Sequence, residues 1–169
     1  MSQPAPDASS DAPTAPARVE AHPAHLGWRL VALVYDALPI IPLWLIVAGT
    51  ATAIGAALDH ADLTDLPWFG PLLWLALWGI AGLYAVLSWR RGGQTMGMRP
   101  WRLQVVDAAD GRLVPMGRLW LRYALASLGL AAFGVGLWWC LLDRQHRALH
   151  DLAAGTLLVR RAPAPSPSR

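Results

Sequence analysis

The chain has 169 residues, 55% hydrophobic and only 15% charged, with a positive mean hydropathy. Those values exclude an ordinary soluble domain and point to a membrane protein. The net charge of +3 rests on fourteen arginines and no lysine; it is too small and scattered for a nucleic-acid partner, and the arginines gather beside apolar runs as in cytoplasmic membrane-protein loops.

Residues 1–25 carry five prolines among Ala, Ser and Asp. Such a composition cannot build a core and predicts a disordered tail. It lacks the apolar region of a signal peptide, so the first span is expected to stay in the mature protein. That span starts near Gly27 and runs to Ala57, long enough to cross a bilayer. Arg29 opens it, Asp36 lies inside it, and Pro39 and Pro42 interrupt it. Each proline removes a backbone donor and clashes with the carbonyl four residues back, which belongs to Tyr35 or Leu38. A short acidic loop, Asp59 to Asp65, follows. Pro67 to Trp89 makes a second span with Trp at both ends, where amphipathic rings favour the interface. The loop after it is rich in arginine and the loop before it has none. The positive-inside rule therefore places the N-terminus and the second loop in the cytoplasm.

Within the second loop, Leu103–Asp107 is β-rich, Ala108–Gly111 supplies a turn, and Arg112–Val114 can return, which predicts a β-hairpin. A third apolar run covers Leu119–Leu142, with Gly129, Gly134 and Gly136 inside it. It is long enough to cross once. Yet Arg144, Arg147, Arg160 and Arg161 follow it, and a crossing would put them outside. The glycines offer the alternative of two short helices meeting at a break and re-entering on one side, tolerated only where protein or a cavity covers the backbone. Basic flanks favour the re-entrant form; both stay open at this stage. Residues 144–151 read as a short amphipathic helix ended by Gly155, and Thr156–Arg160 as a strand. A lone hairpin is marginal, so Thr156–Arg160 is expected to join it as a third strand. That sheet would bring Asp151 and Gly155 near the Gln94–Gly97 turn. Residues 162–169 form a second disordered tail. The single cysteine, Cys140, lies in an apolar run and is read as packing. The fold class is thus membrane all-α: two transmembrane helices, a glycine-broken third segment and a small cytoplasmic sheet.

Arg29 and Asp36 in a first span, GGQTMGMRPWRLQVVDAADG after the second and LHDLAAGTLLV near the end make a distinctive set. Together they resemble the RDD family of bacterial membrane proteins, named for one arginine and two aspartates. The resemblance covers Leu26 to Arg161. By position the naming residues are Arg29, Asp36 and Asp151. Gln94, Thr95 and Gly97, with His150, Gly155 and Thr156, are the supporting motif positions; Met98-Arg99-Pro100 departs from the family pattern. The resemblance implies an integral protein of the bacterial inner membrane, and for the family transport of a ligand, in some members cation/proton exchange.

Asp36 carries the sharpest question. Burial raises the pKa of an acid and a nearby arginine lowers it, a tension that suits a proton or cation site. The structural alternative is an ion pair between helices. Arg29 shares its helix face but lies about 10 Å away along the axis; Arg122, near the start of the third run, is the other candidate partner. Asp143, His146 and His150 would share one helical face, but the spacing of a zinc protease is missing and no metal is assigned. Asp151, placed before a helix end, gains nothing from the dipole and is expected to take bonds from backbone or arginine. The glycine-rich Gly92–Gly97 lacks the Lys-Ser/Thr of a phosphate loop. No nucleophile–base arrangement appears, so an enzyme is not expected, nor a cofactor. Two classes remain: a component of transport for a cation or small solute, and a non-transporting scaffold or partner subunit with structural ion pairs. Three apolar segments are few for a pathway, so a homo-oligomer or a partner membrane protein is expected, in the lipid bilayer.

Overall fold

A computed structural model describes residues 21–57 and 66–161. The acidic loop and both outer tails lie outside the described residues. Helix α1, Leu26–Ala57, and helix α2, Phe69–Gly92, are both long and apolar enough to cross a membrane. Helix α1 runs through Pro39 and Pro42 as one element. Farther along it, the Trp44 indole N–H donates to the Leu77 carbonyl of α2 at 2.8 Å.

Burial shows which ends of the helices carry the packing. On α1 three of the four buried positions, Arg29, Ala32 and Asp36, fall on one face near its start, with Gly55 alone at the far end. On α2 they are Ala81, Gly82, Ala85, Val86 and Trp89, all in its second half. Leu38, Leu45, Ile46, Trp74 and Leu75 are exposed, as an apolar surface facing lipid requires. The core therefore sits at one end of the helix pair, where Val86, Trp89, Met98, Leu103, Leu119 and Leu158 pack together.

A three-stranded antiparallel sheet closes that end. Its strands are β1, Ala21–Pro23, β2, Leu103–Asp107, and β3, Thr156–Arg161, in the order β1-β3-β2. Strand β3 pairs with β2 in the register Leu103↔Arg160, Val105↔Leu158 and Asp107↔Thr156. The expected pairing of the two segments is present, but the hairpin is not. Asp107 N–H bonds to the Arg112 carbonyl at 2.9 Å and closes the turn; then Arg112–Val114 departs. Val114 is buried and Pro115 opens the next helix, so the chain is committed to α3. The third strand comes instead from Ala21–Pro23, inside the segment expected to be disordered. Its Pro23 stands on an edge strand, where a missing N–H is tolerated.

The third apolar run is two helices. Helix α3, Met116–Ala131, and helix α4, Val135–Trp138, continued by a tight turn over Trp139–Leu141, meet at 107°. Phe133 and Gly134 both have positive φ at the break. A Cβ on Gly129 would stand 3.3 Å from Gly136 Cα, so both glycines permit the close contact of the two helices. The helix expected over 144–151 is displaced: α5 spans Leu149–Ala154. Upstream, the Asp143 carboxylate accepts the backbone N–H groups of Gln145 and Arg147, and His146 has φ 52°. A short acidic side chain has outcompeted the helix for its own donors. Asp143, His146 and His150 consequently share no helical face.

Candidate functional site

Two polar clusters meet where α1, α2, α3 and α5 converge. The first centres on Asp151, which is fully buried. Contrary to the expectation of a helix-end position, it is the third residue of α5, where its carboxylate turns back to accept the Ala148 N–H at 3.0 Å. Arg29 Nη2 reaches its Oδ2 at 2.7 Å, and Arg122 Nη1 donates to its Oδ1. One carboxylate thus joins the first span to the third apolar run. Arg29 also donates through Nε to the Ala24 carbonyl and through Nη2 to that of His146. Arg122 donates from Nη1 to Thr156 Oγ1 at 2.7 Å and lies over the Trp89 ring, 5.3 Å from its centroid; its Nε has no acceptor among the described residues.

Electrostatics in this cluster follow from burial and from the two arginines. Burial by itself would push the Asp151 carboxyl up, but Arg122 and Arg29, with His150, outweigh it and hold the group well below the usual carboxylate range. His150 is driven the same way by different means: burial first, then repulsion from Arg122, lowers it to about 3. Its ring is neutral at physiological pH.

The second cluster surrounds Asp36. Its Oδ1 accepts Tyr84 O–H at 2.9 Å and Gly97 N–H at 2.9 Å; its Oδ2 accepts Thr95 O–H at 2.6 Å. Tyr84 Oη is itself the acceptor for Met96 N–H, which fixes the direction of the phenol's own donation. This corrects the expected ion pair: neither Arg29 nor Arg122 pairs with Asp36. Arg29, seven residues back, is engaged by Asp151, and the Thr95–Gly97 turn fills the place beside Asp36. Gly97 makes that approach feasible, since a Cβ there would lie 2.4 Å from the Ala32 carbonyl oxygen and 2.7 Å from Asp36 N. No cation pairs with Asp36 among the described residues.

With the geometry in place, the comparison with known families is decisive: residues 23–155 match the model of the RDD family. The chain belongs to the RDD family. No curated protein and no solved structure matches it. With two helices of spanning length, this RDD chain is a membrane protein.

The supporting positions of this RDD chain divide between the clusters. Thr95 and Gly97 donate to Asp36, Thr156 Oγ1 lies between Arg122 and Asp151, and the His150 ring stands 3.9 Å from the Asp151 carboxylate. Gln94 stands apart and donates to the Leu103 carbonyl at 2.7 Å, tying the turn to β2. Gly155 ends α5 with φ 60°, and its carbonyl accepts Arg118 Nη2. Tyr84 and Arg118 were not singled out in the sequence. A tyrosine inside an otherwise apolar span was a signal for the first, because a buried phenol requires a partner. Arg118 also donates to the Ala154 carbonyl at 2.7 Å and pairs with Asp107, so it locks α3 to the sheet. Cys140 is buried and free, in line with packing.

Between the clusters lies a cavity of about 190 Å³, bounded by α1, α2 and α3. Arg29, Asp36, Tyr84, Arg122, Ser127 and His150 supply its polar wall. The rest of its lining is mainly apolar.

Proposed function

We propose that this RDD protein is a component of transport for a cation or small solute, and that the cavity beside Asp36 is where the solute binds. What carries the reading is Asp36: a carboxylate inside a membrane helix, beside a cavity, held among the described residues by neutral donors alone. An intramembrane acid of this kind is by default functional, because a charge without a counter-charge is costly there. Arg29, Asp151 and Arg122 take the structural role in this reading, tying three elements at one mouth of the cavity.

The bacterial inner membrane is the proposed location, with the N-terminus and the sheet on the cytoplasmic side. Arginines support this: Arg90, Arg91, Arg99, Arg102, Arg144, Arg147 and Arg160 lie in or beside the segments that form the sheet end. The third run is proposed to re-enter. Pairing of β2 with β3 returns the chain to the end it left, and the 107° bend supplies the reversal. Three apolar segments make a short pathway, so a second copy or a partner membrane protein completes it.

Flux into proteoliposomes containing only this protein tests the proposal. A monovalent cation or a small solute is expected to enter above the protein-free background, and Asp36→Asn is expected to lower the rate at least about tenfold. Equal flux with and without Asp36, or none above background for any solute, overturns transport. The ion triad favours a second reading, in which the protein is a non-transporting scaffold; stable assembly without flux would point to it.

A further inference from the structure

Charge bookkeeping in the cavity narrows the ligand. Two guanidiniums, Arg29 and Arg122, share a single carboxylate, Asp151, and so leave one positive charge in excess at that wall. The opposite charge belongs to Asp36, which pairs with no cation among the described residues. The wall is therefore neutral overall and split in sign. A lone cation or a lone anion would leave net charge in a low-dielectric space, which is costly. Each pole also has unused bonding capacity. Arg122 Nε is a buried donor without an acceptor among the described residues. Asp36 uses three of the roughly four acceptor directions of a carboxylate, with a single bond on Oδ2.

The apolar side of the cavity has a direction too. Leu33 and Leu130 line it and are 44% and 51% exposed. Leu130 lies eight residues beyond Arg122 on α3, about 12 Å along the axis. A ligand with its polar end between the clusters can therefore extend an apolar body past Leu130 towards lipid.

We propose that the cavity binds a zwitterion with one anionic group, one primary ammonium and an apolar body. The anionic group pairs with the Arg122 guanidinium and the ammonium with the Asp36 carboxylate, both of which line the cavity. A bilayer aminophospholipid and a free apolar amino acid share this chemistry. The inference rests on the cavity being the binding site, but not on transport, and it is tested by binding alone.

The test is thermal unfolding of the full chain in detergent, titrated with four probes: dihexanoyl phosphatidylethanolamine, leucine, dihexanoyl phosphatidylglycerol and hexylamine. At least one of the first two should stabilise saturably, with apparent affinity about tenfold or more above the purely anionic and purely cationic probes. Stabilisation by the phosphatidylethanolamine alone assigns the lipid, and by leucine alone the amino acid. Asp36→Asn should abolish the preference for the zwitterion over phosphatidylglycerol. Phosphatidylglycerol or hexylamine binding as tightly as both zwitterions, no saturable shift with either zwitterion, or an unchanged preference in Asp36→Asn would each overturn the proposal. The four-probe comparison uses the unaltered chain, so it decides even where the variant fails to fold. Binding without flux would sink transport and keep this site; cation flux without zwitterion binding would do the reverse.

Discussion

Single residues carry two separable energetic roles here. Asp151 is the shared counter-ion of two buried guanidiniums, so Asp151→Asn leaves both without one. Breaking a buried ion pair by removing one partner costs about 3–5 kcal/mol, and this variant should lose that much in denaturant or thermal unfolding. Asp36→Asn removes no ion pair and should cost clearly less; equal losses would show that Asp36 is part of the same electrostatic unit. His150 adds a pH dependence whose sign is fixed. Its pKa is about 3 in the folded chain and about 6.5 when unfolded. Between those values the unfolded state binds the extra proton, so stability is full above pH 6.5 and falls as the pH drops towards 3. The slope approaches roughly 1.4 kcal/mol per pH unit. His150→Gln should flatten the profile between pH 6 and 4.5, leaving the Asp151 contribution, of the same sign, to appear only below about pH 4. A variant profile as steep as the parent's over that interval would assign the effect elsewhere.

At the scale of elements, the Gly92–Gly97 segment is a connector whose shape is dictated by what it touches. Gly97→Ala would drive a methyl into the Ala32 carbonyl and the Asp36 backbone, so the turn must retreat and both Thr95 and Gly97 lose the carboxylate. An overpacking cost of about 1–3 kcal/mol is expected in unfolding measurements. Gly92→Ala, where a Cβ meets nothing within 4 Å, should be nearly silent; a similar loss in both variants would trace the effect to backbone freedom. The sheet can be checked by chemistry. Val105 and Leu158 are Cα partners in the β2–β3 register. Cysteines at these positions, in a Cys140→Ala background, should form a disulfide under mild oxidation, whereas Val105 with Arg161 should not.

For the whole molecule the path of the chain through the bilayer can be read by labelling. If α3 and α4 re-enter, cysteines at Arg118 and Arg160 should react with a membrane-impermeant maleimide from the same, cytoplasmic side. Labelling of the two from opposite sides would refute the re-entrant path. The apolar rim at the bend, with Phe133 96% exposed, would then lie within lipid, and Phe133→Asp should impair insertion.

Much of this organisation was written locally and could be read in the residues. Spans depend on length and hydropathy, which is why α1 and α2 fall within a few residues of their expected positions. Glycines at 129, 134 and 136 announced a break because they permit backbone approach and positive φ. The β2–β3 pairing followed from two β-rich segments in need of partners. What tertiary structure alone decided is which distant group each charge meets. Arg29, Asp36, Arg122 and Asp151 were all legible as charges in need of partners, but four charges admit several pairings of similar local plausibility. The choice depends on side-chain reach across helix contacts, and on the Gly97 turn reaching Asp36 before any arginine does. The same holds for Ala21–Pro23: its composition predicts disorder, and only the free edge of β3, supplied by residues more than a hundred positions away, gives it hydrogen-bond partners.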